Sequence, residues 1–143
     1  MAVASALAAA LGTYYGTGDG DESGPFLARI AVSTLPNGGV ALDYEATSHE
    51  FGLQHREHTL LIAGPEGRDM LYIAQSESAY VTTLVETTPG SGRFEEDEST
   101  GEYTLAVVIE IPEPGRLSYA WWWGESGLIA EQSRADVALP ADI

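Results

Sequence analysis

Apolar residues recur at every second position through most of the chain, a pattern typical of β-strands with one buried face. The sharpest example is residues 101–111, where Tyr103, Leu105, Val107, Ile109 and Ile111 form one face of the predicted strand. Turn-forming glycine, proline and asparagine separate such stretches at intervals of about 8 to 12 residues. We therefore predict ten strands, at residues 12–20, 26–35, 40–47, 55–63, 69–75, 80–87, 93–97, 101–111, 116–124 and 128–139.

The first residues of the chain break this pattern. Residues 2–11 contain six alanines and two leucines before Gly12, which favours a short helix. The stretch is too short to span a bilayer and lacks the basic segment of a signal peptide, so we expect it to stay on the protein and to cap one end of the fold. The strands, linked by hairpin turns, predict a single all-β domain over residues 1–143, an antiparallel up-and-down barrel, because closure removes the strand edges.

The hairpin at residues 55–76 holds the most distinctive polar residues. His55 and Glu57 lie on one face of its first strand, and Arg56 and His58 lie on the other, because side chains alternate along a strand. Only one of these two pairs can face the interior. The hairpin is therefore our candidate for the functional site.

Composition narrows the possible partners. The 143 residues are 44% hydrophobic, enough for a core, and 6 Lys+Arg against 22 Asp+Glu give a formal charge of −16. Such a field repels nucleic acid and anionic lipid, so we expect neither nucleic-acid binding nor membrane insertion. The chain has no cysteine, which excludes disulfides and thiolate metal sites and fits a cytoplasmic location. A monomer and a homodimer both remain open.

Three motifs carry a resemblance to a known family. Residues 12–20, GTYYGTGDG, are similar to an opening GxWxGxGxG motif, His55-x-Glu57 is followed at the family's spacing by residues 73–76, IAQS, and residues 117–119 match a late strand. The chain resembles nitrobindin, a small haem-binding β-barrel related to fatty-acid-binding proteins in the calycin superfamily. This resemblance implies a calycin-like barrel of about ten strands around an apolar cavity lined by His55 and Gln75.

The chain departs from that family at the iron ligand. The resemblance places the C-terminal haem-ligand histidine near Ser133, whereas the three histidines are His49, His55 and His58. A serine hydroxyl is not among the usual axial donors of haem iron. We therefore expect no cofactor and a colourless protein.

Several roles remain open for the candidate residues. His55 is a candidate acid–base residue oriented by Glu57, a ligand-orienting donor, or a buried structural histidine; we expect His49 and His58 to be surface residues. Alternation gives only His55 and Glu57 a common face, so we expect no metal site. Trp121 and Trp123 share a face and either stack on a flat ligand or fill the barrel. The predicted ligand-binding residues are Tyr44, His55, Tyr72, Gln75, Tyr119, Trp121 and Trp123.

These features favour binding of a small hydrophobic or aromatic molecule in a barrel cavity, without haem. Whether the protein is an enzyme stays open. One alternative is a cofactor-free isomerase or cyclase that acts on a polyketide-like or other conjugated metabolite, with His55 as its acid–base residue. Another is a haem-binding nitrobindin-type protein that acts on reactive nitrogen species.

Overall fold

The computed structural model describes residues 2–97, 103–125 and 128–141. The start of one predicted strand, at Gly101 and Glu102, lies outside these residues. The described residues form one α-helix, one short 3₁₀ turn at Pro65–Gly67 and ten strands. Their bounds are α1 (Ala2–Ala8), β1 (Gly12–Gly20), β2 (Gly24–Thr34), β3 (Val40–Ser48), β4 (Gly52–Ala63), β5 (Asp69–Gln75), β6 (Thr82–Glu86), β7 (Arg93–Glu95), β8 (Tyr103–Glu110), β9 (Arg116–Glu125) and β10 (Ala130–Ala138).

The strands form a closed antiparallel barrel in which each strand pairs with its neighbours in sequence. β1 closes the barrel by pairing with β10, from Tyr15 opposite Ala138 to Gly20 opposite Ser133. The predicted all-β up-and-down barrel with a short N-terminal helix is therefore confirmed. The main difference is β4, which begins at Gly52, three residues before the predicted start, because it continues its pairing with β3 as far as Ser48.

Helix α1 covers one end of the barrel, which we call the helix end. Its apolar residues Val3, Ala4 and Leu7 are buried in the same core as the inward side chains of the strands. The Tyr14 hydroxyl also donates a hydrogen bond of 2.6 Å to the carbonyl oxygen of Ala10, which ties the end of the helical segment to β1. Since a seven-residue helix is not stable alone, this packing explains why it forms.

The inward glycines of β1 make room for a neighbouring ring. A β-carbon on Gly18 would lie 2.2 Å from a ring carbon of Phe26 on β2. The bare face predicted from the alternating glycines is thus occupied by an aromatic side chain.

Two β-bulges interrupt the ladder at the opposite end, which we call the open end. In the β3–β4 pair, Ala46 faces His55 and Thr47 faces Leu53, so Gln54 is the extra residue. In the β9–β10 pair, the register shifts between Glu131 and Ser133, so Gln132 is the extra residue. Bulges near barrel rims commonly redirect a side chain, and both of these do so at the cavity described below.

Among the described residues, no helix has the length and apolar character required to cross a membrane.

Candidate functional site

A cavity of about 440 Å³ opens at the open end of the barrel. The helix end, by comparison, is filled by core side chains such as Leu61, Leu71 and Ile109, each at most 1% exposed. The hydrophobic part of the cavity wall consists of Phe26, Tyr44, Ala46, Leu105, Trp121 and Trp123. Its polar part includes Gln54, His55, Glu57, Gln75 and Glu77. The wall is completed at the rim by Gly20, Glu22, Ser23, Tyr103, Gln132 and Ser133.

Glu57 forms the floor of this cavity. Its side chain is 0% exposed and its carboxylate accepts three hydrogen bonds. The first is from His55 Nε2 at 2.6 Å, the second from Trp121 Nε1 at 2.5 Å and the third from the Tyr119 hydroxyl at 2.8 Å. Because Tyr119 and Trp121 are on β9, these bonds cross the barrel interior and join two strands that are not neighbours. The buried carboxylate is thus fully engaged, as a stable buried charge requires.

His55 lies between two carboxylates. Its Nε2 is 2.6 Å from Glu57 Oε1, and its Nδ1 is 2.5 Å from Glu77 Oε2. Both ring nitrogens must carry a proton to donate to carboxylates on both sides. This geometry favours the imidazolium form.

The electrostatics of the site agree with that geometry. Burial lowers the pKa of His55, but hydrogen bonds and charge interactions with Glu57 and Glu77 outweigh burial and raise the pKa from 6.5 to about 9. His55 is therefore a cation at neutral pH, and its charge is compensated by the two glutamates.

Two tyrosines support the floor. The rings of Tyr44 and Tyr119 stack with centroids 5.6 Å apart, and the Tyr44 ring also meets the His55 ring edge-on at 5.8 Å. Burial, and then the Glu57 charge, raise the pKa of both phenols above the ordinary value of 10.0. Both hydroxyls stay protonated at neutral pH, so Tyr119 remains a donor to Glu57.

The bulges bring two glutamine side chains into the cavity wall. The Gln132 amide donates a hydrogen bond of 3.1 Å to the carbonyl oxygen of Trp123. The side-chain oxygen of Gln54 is buried and has no hydrogen-bond partner among the described residues. An unpaired buried acceptor is costly, and a donor group on a bound molecule would relieve that cost.

The structure brings most of the predicted site residues together. Tyr44, His55, Gln75, Trp121 and Trp123 line the cavity. As predicted, His49 and His58 are exposed.

Two predicted ligand contacts lie elsewhere. Tyr119 is buried beneath Glu57 and does not reach the cavity wall. Tyr72 lies on the opposite face of β5 from Leu71 and Ile73, and its hydroxyl lies 3.6 Å from the sulfur of Met70. The outward position of Tyr72 follows from the alternation of side chains along β5. Gln75 faces inward, so Tyr72, three positions earlier, faces outward.

Sequence reasoning missed other cavity residues. Glu77 lies two positions after Gln75, just beyond the end of β5, so alternation of side chains would have placed it on the same inward face. Gln54 and Gln132 gave no such signal, because alternation alone places each on the opposite face from its inward neighbour.

The cavity residues do not fit a haem iron. Ser133, where the resemblance places the axial histidine, does lie in the cavity wall but carries no usual axial donor. Both ring nitrogens of His55 are hydrogen-bonded to carboxylates, so neither has a free lone pair for iron. Across residues 2–97, 103–125 and 128–141, no group of three or more His, Cys, Asp or Glu is arranged to hold a metal ion.

Comparisons with known proteins reveal the fold but no family. No protein-family model and no curated protein matches the chain. A solved structure, that of Rv2717c from M. tuberculosis, is similar over 99% of both chains with a TM-score of 0.70 and 16% sequence identity. At that identity the similarity supports a shared barrel architecture and nothing finer.

Proposed function

We propose that this protein binds a small hydrophobic or aromatic molecule in the open-end cavity, without haem. The observation that carries the proposal is an interior space of about 440 Å³ with aromatic walls and a few fixed polar groups. Ligand sites in proteins commonly have this size and this mixture of apolar wall and oriented polar groups.

Preorganisation of the floor supports binding. Tyr119, Trp121 and His55 hold the Glu57 carboxylate from three directions, so the polar surface beneath a ligand has a fixed geometry. A ligand then loses less free energy to reordering the site. The resemblance to nitrobindin and fatty-acid-binding proteins, calycin barrels with an interior cavity, also supports this function.

The same geometry gives less support to the isomerase or cyclase alternative. A general base must present a free lone pair to the substrate, and a general acid must present a proton. Both nitrogens of His55 are engaged by Glu57 and Glu77. Catalysis by His55 would first require Glu77 to move away, whereas binding requires no rearrangement.

The proposal is tested with a neutral, environment-sensitive naphthalene dye. Its emission should shift to the blue on binding to the purified protein, because the cavity wall is largely apolar. Ala46 lines the cavity and is buried, so Ala46→Phe fills the space and should weaken binding by about tenfold or more.

Ala74→Phe is the matched control, because Ala74 is exposed on β5 and is not part of the cavity wall. Circular dichroism checks that both variants are folded, and Leu105→Trp is a second filling variant if Ala46→Phe is not. An unshifted emission at saturating dye, or equal binding by a folded cavity-filling variant and wild type, would contradict the proposal.

A further inference from the structure

We infer that the open-end cavity takes an organic cation, a molecule with an aromatic or hydrophobic frame and a protonated amine, in preference to a neutral or anionic analogue. This inference rests on the proposed binding function and names the class of ligand. Three independent features of the cavity point to it: its charge, its aromatic wall and its unpaired acceptor.

The charge of the cavity wall is negative. Glu22, Glu57 and Glu77 line it, and among the described lining residues there is no lysine or arginine. His55 supplies the single positive charge among them, and its two ring nitrogens are hydrogen-bonded to Glu57 and Glu77. One histidine against three glutamates leaves the wall with an excess of negative charge.

This balance disfavours a carboxylate ligand. An anion placed over the floor would have no free cationic group to meet it and would lie close to Glu77 and Glu22. Burial of a charge without a partner is strongly unfavourable. An ammonium group at the same place would be attracted by both glutamates, and the overall charge of −16 adds a long-range field of the same sign.

The wall also carries aromatic side chains, the residue class that binds organic cations. Tyr44, Trp121 and Trp123 line the cavity, with Phe26 and Tyr103 closer to the rim. Aromatic rings attract ammonium groups through the negative potential of their faces, and tryptophan does so best. The Trp121 indole N–H donates to Glu57, which fixes the orientation of that ring.

Gln54 provides the third feature. Its buried side-chain oxygen is an acceptor with no partner in the described part of the chain, and the β-bulge places this residue next to His55 in the cavity wall. An ammonium group carries only donors. In the amide orientation that the structure shows, it would therefore satisfy an acceptor that a carboxylate ligand would leave unpaired.

The test uses three naphthalene compounds that differ in one group: 1-naphthylmethylamine, 1-naphthalenemethanol and 1-naphthoate. We expect isothermal titration calorimetry at low ionic strength and pH 7 to show the tightest binding for the amine, weaker binding for the alcohol and the weakest for the carboxylate. The amine should bind about tenfold tighter than the alcohol, since a single charge interaction at cavity distances is of that size.

Two variants assign the preference to the cavity. Glu22→Gln and Glu77→Gln should each reduce the advantage of the amine over the alcohol several-fold. Glu45→Gln is the matched control, because Glu45 lies on the outer face of β3 beside Arg29 and should leave the advantage unchanged. Ala46→Phe should weaken binding of the amine by about tenfold or more, which distinguishes binding in the cavity from binding to the acidic surface.

The possible outcomes distinguish this inference from the proposed function. If the amine binds no more tightly than the alcohol, or if naphthoate binds more tightly than the amine, the cation preference is overturned and the binding function stays intact. Amine binding that Ala46→Phe does not change places the cation on the surface and also overturns the inference. Failure of all three compounds to bind contradicts both.

Discussion

At the scale of single residues, Glu57 is the group on which the site depends. It is a fully buried carboxylate that accepts hydrogen bonds from His55, Trp121 and Tyr119. Desolvation of such a charge is offset only while its partners remain in place. The sequence predicted that Glu57 would share a face with His55, but its partners on β9 come from the far side of the barrel and could not be read from local alternation.

Glu57→Gln should destabilise the protein by about 2–4 kcal/mol, because it leaves the His55 cation without its buried partner and puts an amide donor opposite donors. Urea unfolding followed by circular dichroism measures the change in the free energy of unfolding. Glu45→Gln, in a half-exposed ion pair with Arg29, is the control and should cost less than about 1 kcal/mol. Equal costs in the two variants would show that the buried network contributes no special stability.

The raised pKa of His55 predicts a pH dependence of stability. The folded-state pKa is about 9 and the ordinary value is 6.5, so the protonated histidine stabilises the fold fully below pH 6.5. That contribution is lost as the pH rises through the folded-state pKa. The stability difference between wild type and His55→Gln should therefore shrink by up to about 3 kcal/mol between pH 6 and pH 9.5.

Urea unfolding of both proteins across this pH range measures the difference. His58→Gln is the control, because His58 lies on the outer face of the same strand. A difference between wild type and His55→Gln that stays constant with pH would rule out the two-carboxylate clamp on His55.

At the scale of elements, the two β-bulges shape the cavity. Each inserts a glutamine beside an inward-facing neighbour, Gln54 beside His55 and Gln132 beside Ser133. Strict alternation predicts the strands correctly but places every such extra residue on the wrong face. This explains why β3, β5 and the regular part of β4 could be predicted from the sequence, while the first residues of β4 and part of the cavity wall could not.

Deletion of Gln54 tests this reading of the β3–β4 pair. The remaining residues can pair without a register change, from His55 opposite Ala46 to Leu53 opposite Thr47, so the free energy of unfolding should change by less than about 1 kcal/mol. Deletion of Leu60, in the regular part of β4, is the control. It moves side chains on one side of the deletion to the opposite face and should prevent folding. Comparable loss of structure in both, measured by circular dichroism, would refute the bulge assignment.

The inward glycines of β1 are a second structural feature at this scale. Gly18→Ala puts a methyl group 2.2 Å from the Phe26 ring and should destabilise the protein by about 1–3 kcal/mol through overpacking. Phe26→Leu in the same chain should restore part of that loss. Thr17→Ala, on the exposed face of β1, is the control. Thermal unfolding compares the variants. A Gly18→Ala protein as stable as the control would mean that both the Phe26 ring and the Arg134 carbonyl oxygen, 2.6 Å from the added carbon, move away freely.

At the scale of the whole molecule, the fold follows from the sequence more directly than the site does. Ten alternating segments joined by turns leave few ways to bury every apolar face, and closure of β1 onto β10 removes the last edges. The alternation of apolar and polar residues does not predict contacts across the interior, such as the hydrogen bond between Tyr119 and Glu57. Cytoplasmic location and a monomeric or homodimeric state stay predictions.

The overall charge leads to the last prediction. With 22 acidic and 6 basic residues, the formal charge of −16 must be held on a compact surface, where like charges repel more strongly than in the extended chain. Raising the ionic strength from about 0.01 M to about 0.15 M shortens the screening distance from roughly 30 Å to roughly 8 Å. The melting temperature should therefore rise over this range of sodium chloride, although the exposed ion pairs of Arg29 and Arg116 weaken at the same time. Sucrose at matched osmolality is the comparison. It does not screen charge but stabilises folded proteins through exclusion from their surface, so the melting temperature should rise more in sodium chloride than in sucrose. A melting temperature that falls with added salt would mean that attractive ion pairs outweigh the repulsion among the acidic residues.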